Sequence, residues 1–214
     1  MEGPVKRRRM LLIYWVSLTV LAGCAGTGEV VLLHIHPVMT GSDGKAKERT
    51  ALRVAVGSVE DGRSHKTGLG VRKHLWGGVS YFDVPRGNLA DKVAQALVDY
   101  LTAKGWQVTK AQRETGDAGA DVVLTGTVLD FSVRAMSRIG LTEVTTKTKL
   151  ALQARNVADG STIRMTLYGN GNDEIFWFDP EDAQALANDV LTESFGKLIQ
   201  DTMVENKQLR LKIP

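Results

Sequence analysis

The chain has 214 residues with 27 Lys plus Arg, 24 Asp plus Glu and a single cysteine. The positive balance belongs to the leader: residues 1–23 hold Lys6, Arg7, Arg8 and Arg9 against Glu2, and the remainder keeps 23 of the 27 basic and 23 of the 24 acidic side chains. A formally neutral body gives no basis for nucleic-acid binding, one cysteine rules out an internal disulfide framework, and a length near 190 residues buries on the order of 70% of its unfolded surface, enough for one domain.

Lys6 to Arg9 precede an apolar run from Met10 to Ala22, broken only by Ser17 and Thr19. As a helix that run reaches only about 20 Å against a hydrocarbon core of about 30 Å, so it fits a cleaved h-region better than a span. It closes on Leu21-Ala22-Gly23-Cys24, which resembles the bacterial lipobox. The small residues suit a signal-peptidase pocket, and the Cys24 thiol is the nucleophile for thioether attachment of diacylglycerol. Ala25 follows where the sorting pattern would place an Asp for inner-membrane retention, so the expected address is the inner leaflet of the outer membrane, facing the periplasm. The expected layout is residues 1–23 signal peptide, 24–28 lipidated tether, 29–206 a single α/β domain and 207–214 a C-terminal tail.

Glu29 to His36 is rich in β-branched residues and stops at Pro37, which predicts a first strand. Polar residues 40–50 predict a turn, and Ala51 to Val59 a second strand. Residues 60–87 carry glycines at 62, 68, 70, 77, 78 and 87 with Trp76, Tyr81 and Phe82, and are expected to form a long loop. Its aromatic residues have two readings, anchors for a partner or a lid folded back on the core. Asp61 and Arg63 at its start are expected to form a loop-fixing ion pair or a turn.

Asn88, with Asp91 three residues on, caps a helix whose apolar residues Leu89, Val93, Leu97, Tyr100 and Leu101 run to Lys104-Gly105. A short strand follows at 106–109, a polar loop at 110–120 and a long strand at 121–135. From Thr142 to Ala154 the even positions are apolar or Thr while Glu143, Lys147, Lys149, Gln153 and Arg155 occupy the odd ones, a strand with one core face and one wet face. Asp159-Gly160 marks a turn into a returning strand through Ile163, Met165 and Leu167. Asp179-Pro180-Glu181-Asp182 opens a last helix, with a stripe from Leu186 to Met203. The expected fold is α/β of the α+β type: a two-layer sandwich, mostly antiparallel, with two main helices on one face.

The chemistry-bearing residues do not assemble into a site at this level. His34 and His36 share one side of a strand and His65 and His74 fall in the glycine-rich stretch, but this spacing without a cysteine does not make a zinc site. The glycine pairs lack the Lys-Ser/Thr of a phosphate loop, and no Gly-x-Ser-x-Gly elbow occurs. Arg134, Lys147, Lys149, Arg155 and Arg164 have two readings, a surface for acidic lipid headgroups or a partner and a solvated face balanced by acids elsewhere, and overall neutrality favours the second. No catalytic residue, metal or cofactor is expected beyond the lipid on Cys24.

Taken in order, the lipobox, the first strand, Val54 to Arg63 (VAVGSVEDGR), the glycine-rich stretch, the helix ending in Gly105-Trp106, and Ala120 to Val128 (ADVVLTGTV) resemble the YajG-type bacterial lipoproteins over nearly all of the chain after Cys24. The resemblance implies a periplasm-facing α/β lipoprotein with no catalytic residues to carry over, and it matches Asp61 and Arg63 to an Asp-x-Arg feature of that family. The expected function is a non-enzymatic envelope component that binds a protein partner or itself. The competing expectation is a carrier or sensor holding a lipid or small apolar ligand between helices and sheet.

Overall fold

A computed structural model describes residues 28–38, 52–111 and 119–212; Cys24 and the Leu21-Ala22-Gly23 segment lie outside them. Among the described residues the chain forms β1 (Val30–Leu32), β2 (Arg53–Asp61), β3 (Gly70–Lys73), β4 (Val79–Asp83), α1 (Leu89–Ala103), β5 (Gln107–Lys110), β6 (Val122–Arg138), β7 (Leu141–Asn156), β8 (Thr162–Ile175), α2 (Pro180–Gln200), β9 (Thr202–Glu205) and β10 (Gln208–Leu211). The class is mixed α/β, with two α-helices and one large, mostly antiparallel sheet.

The long antiparallel meander β6-β7-β8 forms the body of that sheet. Its strands alternate: Thr142, Val144, Thr146, Thr148, Leu150, Leu152 and Ala154 are buried while their odd-numbered neighbours on β7 are only partly covered or exposed. This is the one-sided pattern of a sheet with a dry face and a wet face.

The other edge of β6 is shared by two strands in tandem, both parallel to it. β2 pairs with Val122–Val128 and β3 with Val133–Met136. The register of β6 against β7 shifts between Val128 and Asp130, where the partner changes, and such a bulge bends the strand locally. Outside these two, β5 lies parallel to β2, β4 antiparallel to β3, and β1 parallel to β4. The parallel pairings follow from crossovers that are invisible as local sequence pattern.

Both helices bury apolar stripes against the sheet. α1 packs on β2 and β5, α2 on β7 and β8, and the two meet where the Tyr100 and Phe195 rings stand 5.6 Å apart. The caps fall where the sequence places them. Asn88 accepts from the Asp91 N–H, and Asp179 and Asp182 form a reciprocal capping box with Pro180 at the first turn. α2 comes close to the sheet over Gly169 and Gly171. A Cβ on Gly169 would meet Ser194 Oγ at 2.4 Å and the Val190 carbonyl at 2.6 Å.

Four sequence expectations change. The strand expected over 29–36 is only β1; residues 33–38 run instead along α2, because their alternate N–H groups find acceptors there. The His34, His36 and Val38 N–H groups donate to Gln184 Oε1 at 2.7 Å, Asn188 Oδ1 at 3.0 Å and Thr192 Oγ1 at 2.8 Å, one residue per helical turn. The long loop over 60–87 is in large part the β3–β4 hairpin, its glycines serving turns and close approach. The helical stripe ends before Met203, which is in β9 and exposed. Residues 208–211, expected in the tail, form β10, whose Leu209 is buried and hydrogen-bonded through its backbone to the Asn156 side chain.

Candidate functional site

Between β2 and β3 the chain leaves the sheet at Gly62 and rejoins it at Gly70. Asp61 and Arg63 stand at the start of this excursion. The Arg63 guanidinium is buried and forks onto both oxygens of Asp61, with Nη2 at 2.8 Å from Oδ2 and Nε at 2.9 Å from Oδ1. It also donates to the Gly68 carbonyl at 2.8 Å, and more distantly to Lys66 and Phe131. One side chain thus ties both ends of the excursion to β6, and a bidentate charged pair is the strong form of this contact. The Arg63 guanidinium, by hydrogen bonding foremost, holds the Asp61 carboxyl below the ordinary carboxylate range. Gly70 closes the excursion in the left-handed half of conformational space, with its α-carbon so near the Val133 carbonyl that a Cβ would lie 1.9 Å from the oxygen.

The hairpin that follows separates the three aromatic residues of this stretch. Phe82 is fully buried on the dry face, 6.3 Å from Phe178. Tyr81 is 48% exposed on the opposite face, in register between Val71 and Val30. Trp76 is 88% exposed in the turn between β3 and β4. Pleating explains the split of Tyr81 from Phe82, since successive side chains point to opposite faces. The hairpin is braced by His74 Nε2 and Ser80 Oγ at 2.7 Å; burial first, then the Arg72 charge, lower the His74 pKa.

The open face of the sheet bears a shallow groove of about 440 Å³, with Ser58, Glu60, Thr125, Thr127, Gln153 and Arg164 among its walls. Arg164 Nε donates to Gln153 Oε1 at 3.1 Å. The remaining cations named from the sequence are spread along β6 and β7, with Lys149 5.3 Å from the Tyr168 ring. His34 and His36 lie on the strap beside α2, with His36 Nδ1 within hydrogen-bonding distance of the His34 carbonyl; His65 lies in the excursion between β2 and β3, and His74 in the turn between β3 and β4. No group of three or more His, Cys, Asp or Glu that could hold a metal ion is present among the described residues, and no helix among them is long and apolar enough to cross a membrane.

Further apolar side chains are exposed where the strands end. Ile139 in the β6–β7 turn is 86% exposed, and Phe176 and Trp177 after β8 are 82% and 83% exposed. The signal was present as apolar residues in turn positions, flanked by Arg138-Gly140 in one case and Asp179-Pro180 in the other.

No family model and no curated protein matches the chain. Among solved structures it is similar to protein XCC0632 from Xanthomonas campestris, of the DUF330 family, at 15% identity over 81% of this chain and 93% of that one, with a TM-score of 0.43. The PelC dodecamer from Paraburkholderia phytofirmans gives 15% identity over 72% and 93%, with a TM-score of 0.41. Lipoprotein GNA1162 from Neisseria meningitidis gives 12% identity over 64% and 92%, with a TM-score of 0.34.

Proposed function

We propose that this protein is a non-enzymatic envelope lipoprotein related to the YajG type, held to a membrane by lipid on Cys24 and serving as an accessory or protein-binding component. The observation that carries this reading is the position of the only cysteine. It closes the run Leu21-Ala22-Gly23-Cys24, four residues before Gly28, whose N–H already donates to the Val79 carbonyl at 2.8 Å. A thiol there has no disulfide partner in the chain and a short tether to the folded body, and two or three acyl chains at about 0.8 kcal/mol per buried methylene make anchoring near permanent. On this reading the body is a two-layer sandwich with helices on one face. It looks into the periplasm from the inner leaflet of the outer membrane, consistent with Ala25 after the cysteine, and the covalent lipid is its only non-protein group.

The partner is a second protein or another copy of this chain. A ligand between helices and sheet is the weaker alternative, because Phe131, Leu150, Leu167, Leu191 and Phe195 already fill that space with at most 2% exposure each. The test is mass spectrometry of the protein extracted from envelopes. The expected product begins at Cys24 and carries diacylglycerol and an amide-linked acyl chain, and the C24S variant leaves the membrane fraction. An unmodified Cys24 in membrane-bound protein overturns the reading.

A further inference from the structure

Four features converge on one end of the sheet. β3 runs parallel to β6 with Lys73 opposite Met136, so the turn carrying Leu75 and Trp76 lies past that point, at the end where β6 finishes. β6 turns into β7 there, with Arg138 opposite Leu141, and presents Ile139. β8 returns to the same end, since Ile175 pairs with Thr142, and continues into Phe176 and Trp177. β1 begins there too, because it runs parallel to β4 and β4 starts at the hairpin turn. Strands β4, β3, β6, β7 and β8 stand side by side at this end, so the tips form a row about 20 Å wide at roughly 4.8 Å per strand.

Five apolar side chains, two of them Trp, are thus collected on turns at one end, where turn composition is ordinarily polar. Phe178, by contrast, folds inward beneath the Arg72 guanidinium, 4.0 Å from it, so Phe176 and Trp177 are left outside while their neighbour joins the core. Such a concentration marks an interaction surface.

The chain outside the described residues says what covers it. Only Ala25, Gly26 and Thr27 separate Gly28 from Cys24, and four extended residue steps span at most about 14 Å. We infer that this end of the sheet is a membrane-docking edge: Trp76, Ile139, Phe176 and Trp177 insert into the headgroup and upper acyl region of the bilayer in which the Cys24 lipid is embedded. Trp side chains favour that depth because an amphipathic ring suits a boundary that is apolar on one side and wet on the other. Lys73, Arg138, Glu143 and Glu174 near the tips mix both signs, so docking does not depend on anionic lipid. This inference rests on the anchoring at Cys24 proposed above, and it adds an orientation: the β-sheet stands end-on to the bilayer, and the opposite end, with β5, β9 and β10, faces away.

The experiment uses the full chain purified from membranes and reconstituted into phosphatidylcholine vesicles whose acyl chains carry bromine near the glycerol end. Trp emission is compared between the parent protein and W76F, W177F and W76F/W177F. Trp106 is buried and supplies the background. The expected result is a blue-shifted emission from Trp76 and Trp177 that brominated lipid quenches and aqueous iodide does not, insensitive to salt. Emission from these residues that brominated lipid leaves unchanged overturns the inference, whether iodide reaches them or a second protein shields them. The mass of the same preparation is read separately, so an unlipidated Cys24 with quenched tips sinks the anchor alone, and a lipidated Cys24 with unquenched tips sinks the docking edge alone. Quenching that persists in W76F/W177F reports Trp15 in an uncleaved leader and counts against the anchor alone.

Discussion

Arg63 shows how much a single side chain can be asked to organise. Its guanidinium is buried, and the Asp61 carboxylate is what makes that burial tolerable. Removing one partner of a buried pair leaves an uncompensated charge, which costs about 3 kcal/mol. D61A is therefore expected to destabilise by about that amount in urea unfolding and to open residues 62–69 to protease, whereas D61A/R63M, which removes both charges, recovers a large part of the loss. Asp121 is a second such point: it accepts from the Arg53 backbone and from its guanidinium, and the hydrogen bonds from Arg53 chiefly hold its pKa below the ordinary value. The direction of the pH dependence follows. Asp61 and Asp121 protonate later in the folded than in the unfolded chain, so their contribution is complete above the unfolded value near 3.8 and is lost as pH falls through the lower folded values. Thermal unfolding should show a falling midpoint below about pH 4, and D121N should flatten that fall without abolishing it, because Asp61 remains.

At the scale of elements, the informative contrasts are between what periodicity dictates and what distant partners decide. The two helices, their caps and the β6-β7-β8 meander were legible because alternation and 3.6-residue spacing are local properties, strong in stretches of 14 residues or more. The β3–β4 hairpin was not, because four- and five-residue strands bracketed by glycines look like loop. Gly70 is needed for closeness to Val133 and not for flexibility, and nothing local distinguishes these uses. The strap at 33–38 misled for a related reason: an extended apolar segment reads as a strand whether its N–H groups meet another strand or, as here, a row of side chains on a helix. Asp61 and Arg63 were legible as a pair two residues apart, while Ile139, Phe176 and Trp177 were not, since whether a turn residue is covered depends on the neighbouring strands. The seating of α2 supplies a test at this scale. G169A inserts a methyl between β8 and α2 where the nearest atoms include the Val190 carbonyl, and overpacking of this kind costs about 1–3 kcal/mol. Thermal denaturation and protection of α2 amides from hydrogen exchange should both fall in that variant.

For the whole molecule, β9 and β10 decide where the cooperative unit ends. Leu209 is fully buried and its backbone is clamped by Asn156, at the end of β7. L209A is expected to cost about 3 kcal/mol and to lower the midpoint of a single thermal transition by about 6–10 °C. A terminal segment that frayed independently would leave that midpoint unmoved. The strap also bears on the order in which the molecule folds. His34, His36 and Val38 reach acceptors about 150 positions later, so the portion synthesised first acquires its partners last. Contacts this remote along the sequence slow folding, since loop closure has to precede any gain from them. Residues 34–38 therefore stay unfixed until α2 has formed and docked, so the last helix of the chain also completes the beginning of the fold.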